Sequence, residues 1–194
     1  MAQRRFHYEQ AFEHYLRAGR LPYIAVDEAR KSLIQPNQTR KDGTLKSFDF
    51  VVYGPRENQL VDVKGRKCRI PTGRSARSGS TIGRLESWVT QDDIDSLTEW
   101  ESLFGSGFRA YFVFLYWCEA QPPDALFQEI FSFKDRWYAP RAVALSDYVK
   151  YMRRRSEKWK TVSIPTSAFK EISVPVGSFF NGPSKYQKQQ PCPV

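Results

Sequence analysis

The sequence predicts an α/β (α+β) domain with a central mixed β-sheet lying between helices. Three observations predict it. Residues 4–18 carry apolar side chains at helical spacing. Short apolar runs of strand length follow, among them SFDFVVYG (47–54), NQLVDVKGRK (58–67) and FRAYFVFLYW (108–117). Between the last two stands TQDDIDSLTEWESLFG, a helical pattern with its own start signal. Strand and helix periods that alternate in this way build a sheet covered by helices.

Taken in order, RRFHYEQAFEHYLRA places Phe6, Tyr8, Phe12, Tyr15 and Leu16 on one broad face, and Gly19 is the expected stop. LPYIAVDEARK reads as a strand and QPNQTRKDGT as a polar turn region. The runs 47–54 and 58–67 flank Gly-Pro-Arg-Glu-Asn, which has turn chemistry, so they fold back as an antiparallel hairpin. A Gly- and Ser-rich cationic loop follows. Thr90 is the N-cap of the second helix, with acids in the first turn that favour its dipole. Its apolar side carries Ile94, Leu97 and Phe104. FRAYFVFLYW reads as a buried central strand, and ALFQEIFSFKDRWYAP as a further strand or hairpin. A last helix is expected from about Ser146 to Ser156, then an edge strand in KTVSIPTSAF. One domain is expected over 1–181, with a core over about 5–118, an extension over 119–181 and a disordered tail over 182–194.

Composition narrows the function. The chain has 194 residues, 15% of them aromatic, enough for a substantial core and against global disorder. No apolar stretch reaches the length of a membrane span, and MAQRRFHYEQ is not followed by the apolar region of a secretory signal. Cys68, Cys118 and Cys192 are odd in number and widely spaced, with neither a zinc pattern nor a disulfide framework. A cytoplasmic protein with no membrane partner is expected. The net charge of +9, from 30 basic and 21 acidic residues, favours an anionic partner, nucleic acid first. The charge is concentrated: Arg66, Lys67, Arg69, Arg74, Arg77 and Arg84 fall between Gly65 and Arg84 without one acidic residue. A loop of that composition suits a phosphate backbone.

The chemistry is carried by Asp49, Asp62 and Lys64. Residues two apart on a strand share a face, so Asp62 and Lys64 point the same way. The hairpin brings Asp49 beside Asp62. Two carboxylates and a lysine converging at strand ends suit a hard divalent cation, Mg²⁺ or Mn²⁺, held against a phosphate. That combination reads as a metal-dependent nuclease. The competing reading of Asp62 and Lys64 is a surface ion pair, worth at most about 1 kcal/mol, and of Asp49 an edge-strand charge that discourages aggregation. Arg153, Arg154, Arg155, Lys158 and Lys160 fit phosphate contacts and a solvated helix end equally well. Trp117, Trp137, Tyr138 and Trp159 are assigned to the core by default, and His7 and His14 to the surface.

The order of elements, with the carboxylates where they fall, resembles the PD-(D/E)xK nuclease superfamily with its restriction-endonuclease-like fold, and within it the archaeal-type Holliday-junction resolvases. Asp49 matches the family's lone aspartate and Asp62-Val63-Lys64 its triplet, over a resemblance spanning roughly residues 5–118. Two departures stand out: Phe48 precedes Asp49 where proline is usual, and the triplet opens with Asp. The resemblance implies a Mg²⁺-dependent endodeoxyribonuclease in which Asp49, Asp62 and the Val63 carbonyl hold the ion. It also implies a glutamate from the first helix, either Glu9, which fits the family spacing better, or Glu13 one turn on. Gln91 matches a glutamine often found after the triplet, and is equally a helix-start residue. Lys64 would stabilise charge at the phosphate. Branched DNA and a homodimer come with the family, because its members cut two matched strands. The readings set against this are a non-catalytic nucleic-acid-binding protein retaining the fold, and an interaction protein whose basic loop docks an acidic partner.

Overall fold

The structure is a computed structural model that describes residues 3–26, 45–68, 85–119, 121–122 and 129–180. Most of the expected cationic loop (Arg69, Arg74, Arg77 and Arg84), the polar turn region and the tail 182–194 lie outside the described residues.

Helix α1 (Gln3–Ala18) is followed by β1 (Tyr23–Ala25), β2 (Phe50–Tyr53) and β3 (Asn58–Cys68). A two-residue strand, β4 (Val89–Thr90), leads into helix α2 (Gln91–Phe104) and the long strand β5 (Phe108–Cys118). The hairpin β6 (Phe131–Phe133) and β7 (Arg136–Ala144) follows, then helix α3 (Leu145–Tyr151). Strands β8 (Arg153–Ser156) and β9 (Thr161–Ser163) and short helices α4 (Thr166–Ile172) and α5 (Gly177–Phe180) complete the chain.

Six strands form the main sheet in the order β1-β2-β3-β5-β7-β6. It is mixed: β3 and β5 run parallel along their whole length, and the remaining neighbours are antiparallel. The parallel pair requires a crossover, supplied by the connection that contains α2. β5 is a nearly continuous apolar run because both its faces are covered, whereas β3 is apolar only at Leu60, Val61, Val63 and Cys68 and is otherwise polar from Asp62 onward. On one face α1 packs Ala11, Phe12 and Leu16 against Phe50, Val61, Val113 and Leu115. On the other, Ile94 and Leu97 of α2, Tyr148 of α3 and Phe169 of α4 close over Leu60, Phe112 and Phe114. This is the expected sheet between helices. Among the described residues no helix is long and apolar enough to cross a membrane.

Several local expectations hold. Thr90 caps α2: its hydroxyl accepts from the Asp93 N–H, and the Asp93 carboxylate accepts from the Thr90 N–H. The β6–β7 hairpin turns through Lys134 and Asp135, both left-handed at φ 48° and 56°. Helix α1 ends at Ala18, directly before the expected stop at Gly19; the left-handed residue that follows is Arg20 (φ 54°), and the Leu21 N–H returns to the Leu16 carbonyl. Others are corrected. The helix expected over 146–156 stops at Tyr151, because Met152 turns extended and Arg154 pairs with Val162. The three arginines therefore lie on a strand. In KTVSIPTSAF, Thr161–Ser163 is the central strand of a second sheet, β4-β9-β8, and not an edge. The rest of that segment enters α4 behind Pro165, whose fixed φ suits a helix start. Cys68 and Cys118, far apart in sequence, face each other across β3 and β5 as buried free thiols.

Candidate active site

The site forms where β2 begins beside the middle of β3. Phe50 opposes Val61, so register sets Asp49 opposite Asp62, and the Asp49 N–H donates to the Val61 carbonyl at 2.9 Å. One Asp49 oxygen accepts from the Val63 N–H at 2.7 Å. The N–H and C=O of one strand residue point to the same side, so the Val63 carbonyl opens toward Asp49. Lys64, two residues after Asp62, places its ammonium 2.8 Å from the Asp62 carboxylate. Glu9 approaches from α1 on the opposite face of the sheet, close enough for its charge to act on Asp49.

This approach depends on Gly65. A Cβ there would stand 2.1 Å from the Tyr8 ring, so only glycine lets α1 settle this closely on β3 and bring Glu9, the next residue, to the strand end.

The electrostatics follow from crowding. Burial, the neighbouring Asp62 and, more weakly, Glu9 push the Asp49 carboxyl well above the usual range, against the Val63 N–H and Lys64, which favour its charge. Burial also raises Asp62; Lys64 counters this, Asp93 adds to it, and a hydrogen bond to Asp49 opposes it. The two acids titrate as a pair. Burial alone would lower the Lys64 ammonium, but Asp62, Asp93 and Asp49 outweigh it and the net shift is upward. Asp93 moves the other way: burial is overcome by Lys64, the Thr90 cap bonds and Lys46, and its pKa falls to about 2.

Asp93 is the residue sequence reading missed. Its carboxylate sits 3.4 Å from Lys64 and 3.2 Å from Lys46, joining the helix cap to the D-x-K strand. The sequence reading placed it only among the first-turn acids that favour the helix dipole, and nothing in the spacing signalled Lys64. Two expected residues do not join the cluster. Glu13 accepts from Arg17 at 2.7 Å and from the Tyr23 hydroxyl at 2.8 Å. The Gln91 amide donates to Asp95 at 2.9 Å, and its residue lines a cavity of about 290 Å³ with Arg154 and Lys160.

Of the cationic segment, Arg66 and Lys67 are described. Arg66 lies on the Asp62–Lys64 face, its guanidinium 4.0 Å from the centre of the Trp88 ring and donating to the Trp88 and Gly65 carbonyls. Lys67 pairs with Glu119 and lies 5.1 Å from the Trp117 ring. His7, expected at the surface, is half-buried with its Nδ1 3.1 Å from the Tyr138 hydroxyl. Tyr138 is buried as expected; Trp159 is 71% exposed.

Among the described residues, no group of three or more His, Cys, Asp or Glu side chains stands ready to hold a metal ion. The donor set nonetheless suits Mg²⁺ or Mn²⁺. Such ions take oxygen ligands, keep several waters, and are commonly held by one or two carboxylates with a substrate phosphate. The Asp49–Asp62 pair is short of positive charge, which a cation supplies.

No protein-family model matches the sequence, and no curated protein matches it. The chain is similar in fold to a Holliday junction resolvase of Archaeoglobus fulgidus, with a TM-score of 0.50 at 15% identity, over 89% of this chain and 92% of that one. At that identity the likeness establishes the fold alone, a mixed sheet covered by helices.

Proposed function

We propose that the chain is a metal-dependent endonuclease that hydrolyses phosphodiester bonds in DNA, with a preference for branched structures. The observation that carries this reading is the Asp49–Asp62 pair, two carboxylates forced together by strand register with Lys64 at 2.8 Å. Packing gains nothing from such a cluster, whereas gripping a phosphate-bound cation needs it.

In this reading Asp49, Asp62 and the Val63 carbonyl hold Mg²⁺ or Mn²⁺, and Glu9 adds a carboxylate from the opposite face. When bound, such an ion neutralises phosphate charge and activates water for attack. Lys64 stabilises charge gathering on the phosphate oxygens, and Asp93 is the positioning residue that holds Lys64 in place. Lys67, with Arg69, Arg74, Arg77 and Arg84, follows the DNA backbone, and Arg66 would join them only after leaving the Trp88 and Gly65 carbonyls. Gln91 would act only after leaving Asp95, and Glu13 stays with Arg17 and Tyr23. The preference for branched DNA is taken from the Archaeoglobus protein, a Holliday junction resolvase. Cutting two matched strands calls for two sites, hence a homodimer.

The test is a panel of labelled four-way junction, flap, single-stranded and duplex DNA, with RNA beside them, in Mg²⁺, Mn²⁺ or EDTA. Cutting of DNA that EDTA abolishes, strongest on branched substrates, is expected. Salt-sensitive binding without cutting on every substrate would replace the nuclease with a nucleic-acid-binding protein of the same fold.

A further inference from the structure

We propose that the β8–β9 hairpin is a nucleic-acid-reading element in which Trp159 stacks on an unpaired base while the surrounding cations hold the flanking phosphates. Trp159 is 71% exposed, more than any other large apolar side chain among the described residues. An indole is among the largest apolar groups a chain can leave in water, and this one is held there by a built turn. The Lys160 N–H returns to the Glu157 carbonyl at 3.1 Å, the Trp159 N–H reaches the Ser156 hydroxyl at 3.4 Å, and Lys160 is left-handed at φ 42°. The ring is presented by a closed tip.

Charge identifies the occupant. Residues 153–160 (RRRSEKWK) hold five cations against one carboxylate, and that carboxylate, Glu157, pairs with Arg154 at 3.1 Å. An apolar ring among cations suits a ligand with a π face and a regular series of anions, which describes a nucleic-acid strand. Bases within a continuous duplex are already stacked on each other, so the indole is served by an unpaired or splayed base.

The hairpin is wired to the candidate active site. Thr161 pairs with Thr90, the cap residue of α2, and Asp93 of that cap lies 3.4 Å from Lys64. Arg155 lies 5.2 Å from the Trp88 ring, which Arg66 approaches at 4.0 Å. The consequence for cutting, a preference for substrates with unpaired bases beside the scissile phosphate, rests on the nuclease reading. Stacking itself does not.

Binding in EDTA separates the two. Fluorescence anisotropy with the full chain would compare a short labelled single strand with a blunt duplex of equal length. Trp159→Ala is expected to weaken single-strand binding about tenfold and duplex binding less than about twofold, while Trp159→Phe keeps most of the single-strand affinity. Arg154→Gln combined with Lys158→Gln should lower the salt dependence on both probes by about 1–2 in slope. Equal weakening by Trp159→Ala on both probes, or none, overturns the inference. Selective loss of single-strand binding in a protein that cuts nothing in Mg²⁺ or Mn²⁺ would leave this inference standing and remove the nuclease reading alone.

Discussion

Asp49 and Asp62 occupy opposed strand positions where ionising both is costly, and this gives the site a pH signature. Their native pKa values lie above the unfolded value of about 3.9, so the native state binds these protons more tightly than the unfolded chain. Their favourable contribution is present in full below about pH 4 and is lost as pH rises through the raised native values. Asp93, held at about 2, has the opposite sign: it stabilises above the unfolded value and fails as pH falls toward 2. Without metal at pH 7.5, Asp49→Asn should therefore raise Tm by about 2–4 °C, equivalent to ~1 kcal/mol at this chain length. The same variant should lose the rise in Tm that Mg²⁺ gives the wild type. Scanning calorimetry in EDTA and in Mg²⁺ reads both, and an apo Tm that falls would contradict the strained-pair geometry. Lys64→Met leaves Asp62 without its 2.8 Å partner. A loss of about 3–5 kcal/mol is expected in urea denaturation at pH 7.5, and less as the pH is lowered, because protonation of Asp62 removes the unpaired charge. The pairing of Asp49 with Asp62 and Lys64 was legible in the sequence because strand alternation and one turn determine it. Asp93 was not, because its contact with Lys64 crosses from a helix cap to a strand.

At the scale of elements, the site is assembled by a helix that only a glycine admits. Gly65→Ala drives a methyl into the Tyr8 ring, with an expected cost of about 1–3 kcal/mol and displacement of Glu9. Combining it with Tyr8→Ala should recover part of that loss, a coupling that a double-mutant cycle measures. Simple additivity would mean that α1 does not rest on Gly65. Thr90→Ala removes the capping bond of α2 and should cost about 1 kcal/mol in denaturant unfolding, loosening Asp93 and with it Lys64. Elements with strong local signals, such as α2 with Thr90 as its N-cap, were legible. The end of the chain was misread because Arg153–Arg155 continue a helical pattern past Tyr151, and only pairing with Thr161–Ser163, a tertiary event, turns them into a strand.

For the whole molecule, the layered class followed from the sequence, and strand order did not. The parallel pairing of β3 with β5 depends on a crossover that no local pattern specifies, and the same pairing sets Cys68 against Cys118. The sheet places the acid pair, Lys64 and Arg66 on neighbouring positions, with β8 and β9 joined to them through β4 and the α2 cap, so in the proposed reading one face of the molecule would both grip and cut a strand. The most direct measurement is single-turnover cleavage of a labelled four-way junction in Mg²⁺ by wild type, Asp62→Ala and Lys64→Ala, each verified as folded by circular dichroism, with EDTA as the blank. Cutting by wild type alone, at least about a hundredfold faster than either variant, as expected when a group stabilising the transition state is removed, is the predicted result. Cleavage that persists in both variants, or in EDTA, would contradict a metal-dependent site built on Asp49, Asp62 and Lys64.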